Sequence, residues 1–358
     1  MKLLRETLAA IAPQSQEYRD KAAAHIDDLT MPRRALGRLL ELAEDLAGMT
    51  RSLQLPVARK NIVLFAGDHG VVAQGVTLQP QEVTRQMIYN FIAGGAGINA
   101  LAANARAAVT VVDIGVAGDL SDLAAAGKIV NAKIAPGTAD FCCGPAMTRD
   151  QAVQALETGM AIAAELAPET DVFGTGEMGI GNTTPSSAII AVLTGMTDST
   201  DLSALVDRGA GLPSSQLPVK IAAIRRGIEL NHPDPADGID VLAKVGGFEI
   251  GGIAGLILGA AAQRRPVVVD GFISTAGALI AKALCPAAVD YMICAHGSME
   301  RGHRFMLEYL GKKPLLDLNM RLGEGTGAAL AMNLLDAAAA VMTRMATFGS
   351  AGVTDRGL

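Results

Sequence analysis

The sequence contains no tryptophan, and aromatic residues make up only 3% of its 358 residues. Half of the residues are nevertheless hydrophobic, so a large core has to be built from alanine, glycine, valine, isoleucine and leucine. Forty glycines are too many for an ordinary helical bundle, and they do not lie in low-complexity tracts. We therefore expect them at tight turns and at close approaches of the backbone. The length predicts one large domain with an appendage, or two domains.

The sequence also lacks a block of basic residues, and its formal net charge is −6. This balance argues against nucleic-acid binding, which usually requires a strongly basic face. The cysteines, Cys142, Cys143, Cys285 and Cys294, form no C-x-x-C pair. This usage fits a reducing compartment and predicts no zinc or other metal site. We expect each cysteine to be a small buried hydrophobe.

No hydrophobic run reaches membrane length. The best candidate, 250–262, is shorter than the ~20 residues that a bilayer requires. The apolar run near the C-terminus carries Asp336 midway. Arg5 and Glu6 interrupt the apolar N-terminal segment, which is not typical of a signal peptide. We expect a cytoplasmic protein without a membrane span.

What the sequence does contain is an alternation of short β-branched runs with alanine-rich helical segments. The runs that we predict as strands are NIVLFAGDHG, AVTVVDIGV, KIVNAKIAPG, TDVFGTGEMG, IDVLAKVGG, PVVVDGF, AAVDYMICAHG and PLLDLNM. Continuous apolar strands indicate burial on both faces. The sequence therefore predicts an α/β fold, with a doubly wound, mostly parallel, Rossmann-like sheet covered by helices on each side.

Both ends of the chain read as helical. Residues 1–55 have apolar positions at three-and-four spacing, and the chain returns to helix after 325. We predict a small helical domain from 1–55 plus about 325–358, and a large α/β domain over 56–324 that carries the active site. The last residues, 350–358, read as a frayed end.

Ligands of such sheets bind beyond the carboxyl ends of the strands. The polar and glycine-rich clusters of this sequence come directly after the predicted strands, so we expect them to converge on one rim. The clearest cluster, GTGEMGIGNTT at 174–184, lets the backbone approach a ligand, and Asn182 and Thr183 add side-chain donors. Free N–H groups at a helix start would suit a phosphate. The alternative is a tight strand-to-helix turn without a ligand.

This cluster matches neither a Walker A loop nor the dinucleotide fingerprint. Glu177 inside it would repel a phosphate, so we expect it to face a sugar hydroxyl or a positively charged ring. Glycine clusters at 244–255 and 267–278 serve either a ligand or close helix–sheet packing. Asp270 in the second of these ends a predicted strand.

Several further polar groups follow predicted strands or start helices. Asp68 and His69 lack a neighbouring nucleophile for a catalytic triad, which favours a structural or substrate-contact role. Gln81, Thr84 and Gln86 are candidates for a ring-binding slot.

The segment 294–303 holds His296, Ser298, Glu300 and His303 without the spacing of a metal site. Helix capping and dimer contacts are the favoured interpretation there.

Lys220 and Glu324 each allow two interpretations. Lys220, near the start of an apolar-faced helix, is either solvated or reaches a phosphate. Glu324 lies between two glycines before an apolar run. As a simple helix-start residue it would gain only ~0.3–1 kcal/mol. As a general base it would be tuned by burial, which raises its pKa, against a helix dipole, which lowers it.

Seven segments occur together in a familiar order: GDHGVVAQGV, PQEVTRQM, GEMGIGNTT, VGGFEIGGIAG, VDGFISTAGA, HGSMERGH and LDLNMRLGEGTGAALA. In this, the sequence over roughly 30–350 resembles the nicotinate-nucleotide–dimethylbenzimidazole phosphoribosyltransferase family. The resemblance implies transfer of phosphoribose from nicotinate mononucleotide to 5,6-dimethylbenzimidazole, giving α-ribazole 5′-phosphate and nicotinate for the lower nucleotide loop of cobalamin. It also implies a doubly wound domain with a small helical domain, a homodimer, and no cofactor.

The resemblance further implies which residues act. Glu324 matches the catalytic base of the family, Glu177 lies in its ribose and phosphate loop, and Lys220 is the best match to a lysine of the site. The implied substrate-binding residues are Pro80, Gln81, Gln86, Gly176, Met178, Gly179, Ile180, Gly181, Asn182, Thr183, Leu322 and Gly323.

The implied chemistry agrees with a single catalytic carboxylate. A pyridinium departs as a neutral ring and needs no acid, whereas a glycosidase uses two carboxyl groups. No metal is needed, because the leaving group carries no pyrophosphate. Two other interpretations stay open: a different glycine-loop nucleotide enzyme, such as a kinase or dehydrogenase, and a non-catalytic nucleotide-binding sensor on the same fold.

Overall fold

The computed structural model describes residues 1–354, so 355–358 of the predicted frayed end lie outside the described residues. The strands within 1–354 are β1 Lys60–Gly67, β2 Ala107–Gly115, β3 Val130–Asn131, β4 Val172–Met178, β5 Val267–Val269 and β6 Met292–Cys294. The α-helices are α1 Lys2–Ala10, α2 Gln16–Asp27, α3 Arg38–Thr50, α4 Glu82–Ala93, α5 Gly97–Ala105, α6 Ser121–Ala125, α7 Arg149–Leu166, α8 Thr183–Thr194, α9 Ser199–Leu205, α10 Leu217–Asn231, α11 Gly238–Val245, α12 Phe248–Ala262, α13 Phe272–Leu284, α14 Gly302–Leu310, α15 Thr326–Arg344 and α16 Phe348–Ala351.

The six strands form one parallel sheet in the order β3-β2-β1-β4-β5-β6. This is the doubly wound order, and it confirms the α/β prediction. All eight residues of β1 are buried, as expected for a central strand covered by helices on both faces. The strand order reverses between β1 and β4, so the crevice beyond their carboxyl ends is the expected place for a ligand.

Glycines allow the helices to approach the sheet and one another. A Cβ on Gly174 of β4 would lie 2.8 Å from Ile62 Cγ1 and 2.9 Å from Met332 Cε, so α15 packs directly on the strand. A Cβ on Gly255 of α12 would lie 2.0 Å from the carbonyl oxygen of Leu156 in α7. Gly251, Gly252 and Gly255 of the 244–255 cluster therefore serve close packing of α12 on α7 and on the sheet.

Two predicted strands are wrong. The run IDVLAKVGG forms helix α11, and the Asp237 side chain caps it by accepting N–H bonds from Ile239 and Asp240. The run is short, and its apolar residues also fit one helical face, so the pattern alone does not separate helix from strand. The glycine cluster 244–255 thus follows a helix rather than a strand. PLLDLNM makes only an isolated bridge, between Leu316 and His296.

The terminal helices share one continuous core with the sheet. Leu40 and Leu46 of α3 and Leu335 of α15 belong to the same buried cluster as Ile62 of β1. Helix α15 packs on α2 and α3 as well as on α5 and the central strands. Helix α15 thus contacts both the N-terminal helices and the α/β core. The division into a small and a large domain therefore stays a prediction.

Thr326–Arg344 is long and apolar enough, by length and composition alone, to cross a membrane, although Asp336 led us to expect otherwise. Of the apolar window in this helix, 56% is buried inside the fold. Since a buried core helix passes the same test, this is weak evidence for a span.

The prediction that each cysteine is buried holds for Cys142 and Cys294, but not for Cys143, which is exposed, or for Cys285, which is half-buried.

Candidate active site

A cavity of about 230 Å³ lies beyond the carboxyl ends of β4, β5 and β6. The segments after these strands meet here with the start of α8 and the residues before α15, so the clusters at 174–184, 267–278 and 294–303 converge on one rim, whereas Asp68, His69 and the 244–255 cluster do not line the cavity. The residues lining the cavity are Val76, Thr77, Met87, Glu177, Met178, Gly179, Ile180, Gly181, Asn182, Thr183, Arg208, Gly209, Ala210, Asp270, Gly271, Phe272, Ile273, Ser274, His296, Ser298, Glu300, Arg321, Leu322, Gly323 and Glu324.

Most of the predicted site residues line this cavity: Glu177, Met178, Gly179, Ile180, Gly181, Asn182, Thr183, Leu322, Gly323 and Glu324. Lys220 lies directly behind the wall, where it contacts Thr183. The lining does not include Pro80, Gln81, Gln86 or Gly176.

The backbone before α15 adopts an uncommon conformation. Gly323, Glu324 and Gly325 have φ values of +87°, +63° and +94°. Glycine tolerates this left-handed region, whereas Glu324 incurs roughly 1–2 kcal/mol of strain. Strained residues persist where their surroundings hold them and are concentrated at functional sites. The two flanking glycines thus permit a turn that presents the glutamate to the cavity.

The Glu324 carboxylate is anchored on a helix other than the one it precedes. Its Oε2 accepts the backbone N–H of Ile98 at 3.0 Å, and the backbone of Gly97 donates a further bond, both at the start of α5. Burial raises the pKa of Glu324, and the nearby Asp270 adds to the rise. These two causes outweigh the N–H donors, so the pKa lies above 4.5. The result is a carboxylate that holds a proton more readily than an exposed one.

Glu177 lies under the same turn. Asn182 donates its side-chain N–H to the Glu177 carboxylate, and the backbone of Glu324 also bonds to it. A Cβ on Gly323 would lie only 2.2 Å from Glu177 Oε1. Burial, with help from Asp270, raises the pKa of Glu177 to about 8. The Glu177 carboxyl is therefore mainly protonated at neutral pH in the absence of a cationic ligand.

The turn before α8 has the features of an anion site. Gly181 has φ +90°, and within residues 1–354 the backbone N–H groups of Gly181 and Thr183 donate no hydrogen bond. Lys220 Nζ donates to Thr183 Oγ1 at 2.7 Å and to the carbonyl of Asp207 at 2.9 Å. Helix N-termini with free N–H groups bind phosphate, and a lysine beside one adds positive charge.

Lys220 is fully buried, so the interpretation as a solvated lysine is wrong. Burial lowers its pKa to about 8, although Glu300 and Asp207 oppose this shift.

The predicted ring-binding residues of the 80–87 segment lie outside the lining. Gln81 donates its side-chain N–H to the carbonyl of His69 at 2.9 Å, while Pro80 and Gln86 are exposed. Met87 is the member of this segment that lines the cavity. Gly176 lies beneath the wall, where a Cβ would be 2.6 Å from the carbonyl oxygen of Glu324. The substrate-binding role of these four residues stays a prediction.

Asp68 and His69 support the wall from behind. The Thr84 hydroxyl donates to Asp68 Oδ1 at 2.7 Å and accepts the N–H of Ile180 at 3.1 Å. His69 Nε2 lies 2.9 Å from Glu249 Oε1 in a fully buried pair. Burial lowers the pKa of His69, but the Glu249 carboxylate reverses this and leaves the pKa above 6.5. These contacts fit the structural role that the sequence favours.

Sequence reasoning did not assign several lining residues to the site. Asp270 caps α15 by accepting the N–H of Ala328 at 2.9 Å and that of Gly325 at 3.2 Å. Burial raises the pKa of Asp270, and His296, whose Nε2 is 3.9 Å away, opposes the rise. Its position at the end of a predicted strand, where ligands of such sheets bind, is the signal that could have assigned Asp270 to the site.

Position also identifies His296, Ser298 and Glu300, which follow β6 and line the cavity. The sequence had favoured capping and dimer contacts for them. Arg208 and Arg321 complete the wall, and no signal in the sequence pointed to either. Within residues 1–354, no group of three or more histidine, cysteine or acidic side chains is arranged to hold a metal ion.

Comparisons with known proteins identify the family of this chain. A family model described as a phosphoribosyltransferase matches residues 11–353. Nicotinate-nucleotide–dimethylbenzimidazole phosphoribosyltransferases of Syntrophotalea carbinolica and Desulfotalea psychrophila are 59% and 55% identical, each over 99% of both chains. A crystal structure of the enzyme of this name from Thermus thermophilus is 43% identical, with a TM-score of 0.88 over 95% of this chain and 99% of that one. The chain belongs to the nicotinate-nucleotide–dimethylbenzimidazole phosphoribosyltransferase family.

Proposed function

We propose that the protein transfers the 5-phosphoribosyl group of nicotinate mononucleotide to 5,6-dimethylbenzimidazole. The products are α-ribazole 5′-phosphate and nicotinate, which places the enzyme in assembly of the lower nucleotide loop of cobalamin. Family membership over the full chain supports this activity. The observation that carries it is that Glu324 and the turn before α8 line one cavity.

The reaction exchanges one ring nitrogen for another at the anomeric carbon, and this exchange requires a group that accepts a proton. One nitrogen of the benzimidazole forms a bond to the carbon while the bond to the pyridinium nitrogen breaks, and its electron pair returns to the leaving ring. Attack from the opposite face converts the β-nucleotide into the α-product. The incoming ring gains positive charge, and its other N–H becomes acidic. Glu324 accepts that proton, so that the product ring is neutral.

The remaining groups bind and stabilise. The phosphate lies against the free N–H groups of Gly181 and Thr183, with Lys220 behind them, and this anchors the sugar for in-line displacement. Glu177 carries its proton in the free enzyme and loses it beside the cationic nucleotide. Its carboxylate then stabilises the positive charge that grows on the ribosyl group.

Mixing the pure protein with nicotinate mononucleotide and dimethylbenzimidazole, without added metal, tests the proposal. We expect equal amounts of nicotinate and α-ribazole 5′-phosphate by liquid chromatography and mass spectrometry. A protein that binds the nucleotide but forms no product would be a sensor instead, and the proposal would be wrong.

We also propose a cytoplasmic homodimer. Light scattering on the purified chain tests the oligomeric state, and fractionation of the native cells tests the compartment.

A further inference from the structure

The loop between β6 and α14, residues 295–301, reaches the nucleotide end of the cavity. Glu300 in this loop is half-buried, lines the cavity and accepts the backbone N–H of Gly209. A Cβ on Gly209 would lie 2.7 Å from Thr183 Oγ1 and 3.5 Å from Lys220 Nζ. The position of Glu300 therefore affects the backbone that packs on the proposed phosphate site.

His303, in the first turn of α14, holds this loop against α13. Its Nδ1 accepts the backbone N–H of Ser298 at 2.8 Å, and its Nε2 lies 2.9 Å from Thr275 Oγ1. The Thr275 hydroxyl donates its only hydrogen to the carbonyl of Gly271 at 2.7 Å. The ring thus joins two walls of the cavity, because Gly271 and Ser298 both line it.

These contacts fix the tautomer of the His303 ring. Nδ1 faces an N–H donor and must be unprotonated, whereas Thr275 Oγ1 has only an acceptor position left for Nε2, which must carry the hydrogen. A second proton on the ring would make Nδ1 a donor facing the N–H donor of Ser298, and this hydrogen bond would be lost. The side chain is 1% exposed, and burial, with His296 as a smaller cause, lowers the pKa of His303 to about 3.

We propose that His303 is a positioning residue that, as a permanently neutral Nε2–H ring, fixes Ser298 and Glu300 and so shapes the nucleotide end of the cavity. This inference rests on the proposed function, in which the phosphate of nicotinate mononucleotide binds beside Thr183. His303 itself does not line the cavity and acts only through the loop.

Three variants of the full chain separate positioning from general stability. In His303→Asn, the amide oxygen replaces Nδ1 as the acceptor for Ser298 N–H. In His303→Gln, the longer amide reaches towards Thr275, so the N–H of Ser298 loses its acceptor. Met306→Ala, three residues further along α14, removes a fully buried side chain and destabilises the helix without touching the loop contact.

The first measurement is the KM of each substrate. We expect His303→Gln to raise the KM for nicotinate mononucleotide about tenfold, because the partly buried N–H of Ser298 is left unpaired, while the KM for dimethylbenzimidazole stays within about twofold. His303→Asn should restore most of the loss, and Met306→Ala should leave the ratio of the two KM values unchanged. Equal changes in His303→Gln and Met306→Ala would overturn the inference.

The second measurement is ¹⁵N NMR of the histidine rings in the wild-type chain. We expect a His303 signal of the Nε2–H tautomer that does not titrate between about pH 5 and 9. An Nδ1–H tautomer, or a titration in this range, would overturn the inference.

A third measurement separates this inference from the proposed function. If the wild-type protein forms no α-ribazole 5′-phosphate, the proposed function fails, and calorimetric binding of nicotinate mononucleotide then tests His303. If His303→Gln binds nicotinate mononucleotide more weakly than both the wild-type protein and Met306→Ala do, the positioning role is supported. If all three bind it equally, the role is refuted.

Discussion

The Glu324 carboxylate is bound to the backbone N–H of Ile98, 226 positions earlier in the chain, at 3.0 Å. Ile98 lies in the first turn of α5, whose N-terminus favours a negative charge. The strained 323–325 turn supplies the position of Glu324, and α5 supplies the orientation of its side chain. The proposed base is therefore held in place before a substrate arrives, which reduces the entropic cost of alignment.

We expect Glu324→Gln to lower kcat by ~10²–10⁴, because the amide keeps an acceptor for Ile98 N–H but cannot take a proton. The dissociation constant of nicotinate mononucleotide should change little. Steady-state kinetics and calorimetry measure the two effects, with Glu308→Gln on the exposed face of α14 as the control. A variant that turns over as fast as the parent would end the assignment of Glu324 as the base.

Glu177→Gln should make the protein more stable at high pH. The folded pKa of Glu177 is about 8, against an ordinary value of 4.5, so between these values the folded state binds a proton that the unfolded state has lost. Stability from this group is therefore present at low pH and is lost as the pH rises to 8, by roughly 5 kcal/mol in all. Glu177→Gln has no proton to lose at this position, so its free energy of unfolding does not fall for this reason.

Urea unfolding of wild type and Glu177→Gln at several pH values tests this sign. The advantage of the variant should grow from about pH 4.5 to 8. Glu165→Gln, exposed on α7, is the control for removing one negative charge. An advantage that shrinks with rising pH would contradict the buried, protonated state of Glu177.

The affinity for nicotinate mononucleotide should depend on the charge of Lys220. Burial lowers the pKa of this lysine to about 8, so it loses its proton just above neutral pH, while the substrate phosphate stays a dianion. We expect the KM for the nucleotide to rise as the pH passes 8. In Lys220→Met, the KM should be higher throughout and should lack this rise.

Kinetics from about pH 7 to 9.5 test the prediction for Lys220, with Lys128→Met, an exposed change, as the control. A rise in the KM with pH that survives in Lys220→Met belongs to another group and refutes the assignment, whereas ionisation of Glu177, whose pKa is also about 8, would lower the KM.

Thr183→Val should raise the KM for nicotinate mononucleotide more than that for dimethylbenzimidazole. The valine removes the acceptor that Lys220 Nζ binds at 2.7 Å, so a buried charge loses a partner at the proposed phosphate end. Thr183→Ser keeps the hydroxyl and should behave like the parent. A larger effect on the benzimidazole would place the phosphate elsewhere.

Local signals were sufficient for much of the fold. Strands β1, β2, β4, β5 and β6 were found because each apolar run ends at a glycine or a small polar residue. The run at 239–247 was misread because burial of a short apolar segment looks alike in a helix and a strand, and the cap from Asp237 decides in favour of α11.

The site was predictable only where one segment carries the whole signal. The 177–183 turn and Glu324 follow this rule, since their glycines and charges are adjacent in sequence. Lys220 does not, because its burial depends on Thr183 and Asp207, which lie on other segments. The anchor of Glu324 on Ile98 and the contribution of Arg208 are likewise tertiary contacts that periodicity does not encode.

Gly323→Ala should impair catalysis more than its backbone strain alone predicts. Gly323 has φ +87°, and an added Cβ would lie 2.2 Å from Glu177 Oε1. One of the two acidic side chains, Glu177 or Glu324, must then move.

Gly311→Ala is the matched control, because Gly311 has φ +69° with no atom within 4 Å of an added Cβ. Both variants bear a similar strain of roughly 1–2 kcal/mol. We expect thermal unfolding to show at least as large a loss of stability in Gly323→Ala as in Gly311→Ala, and kcat to fall at least tenfold only in Gly323→Ala. Equal kcat values in the two variants would mean that the spacing of Glu177 and Glu324 does not limit the reaction.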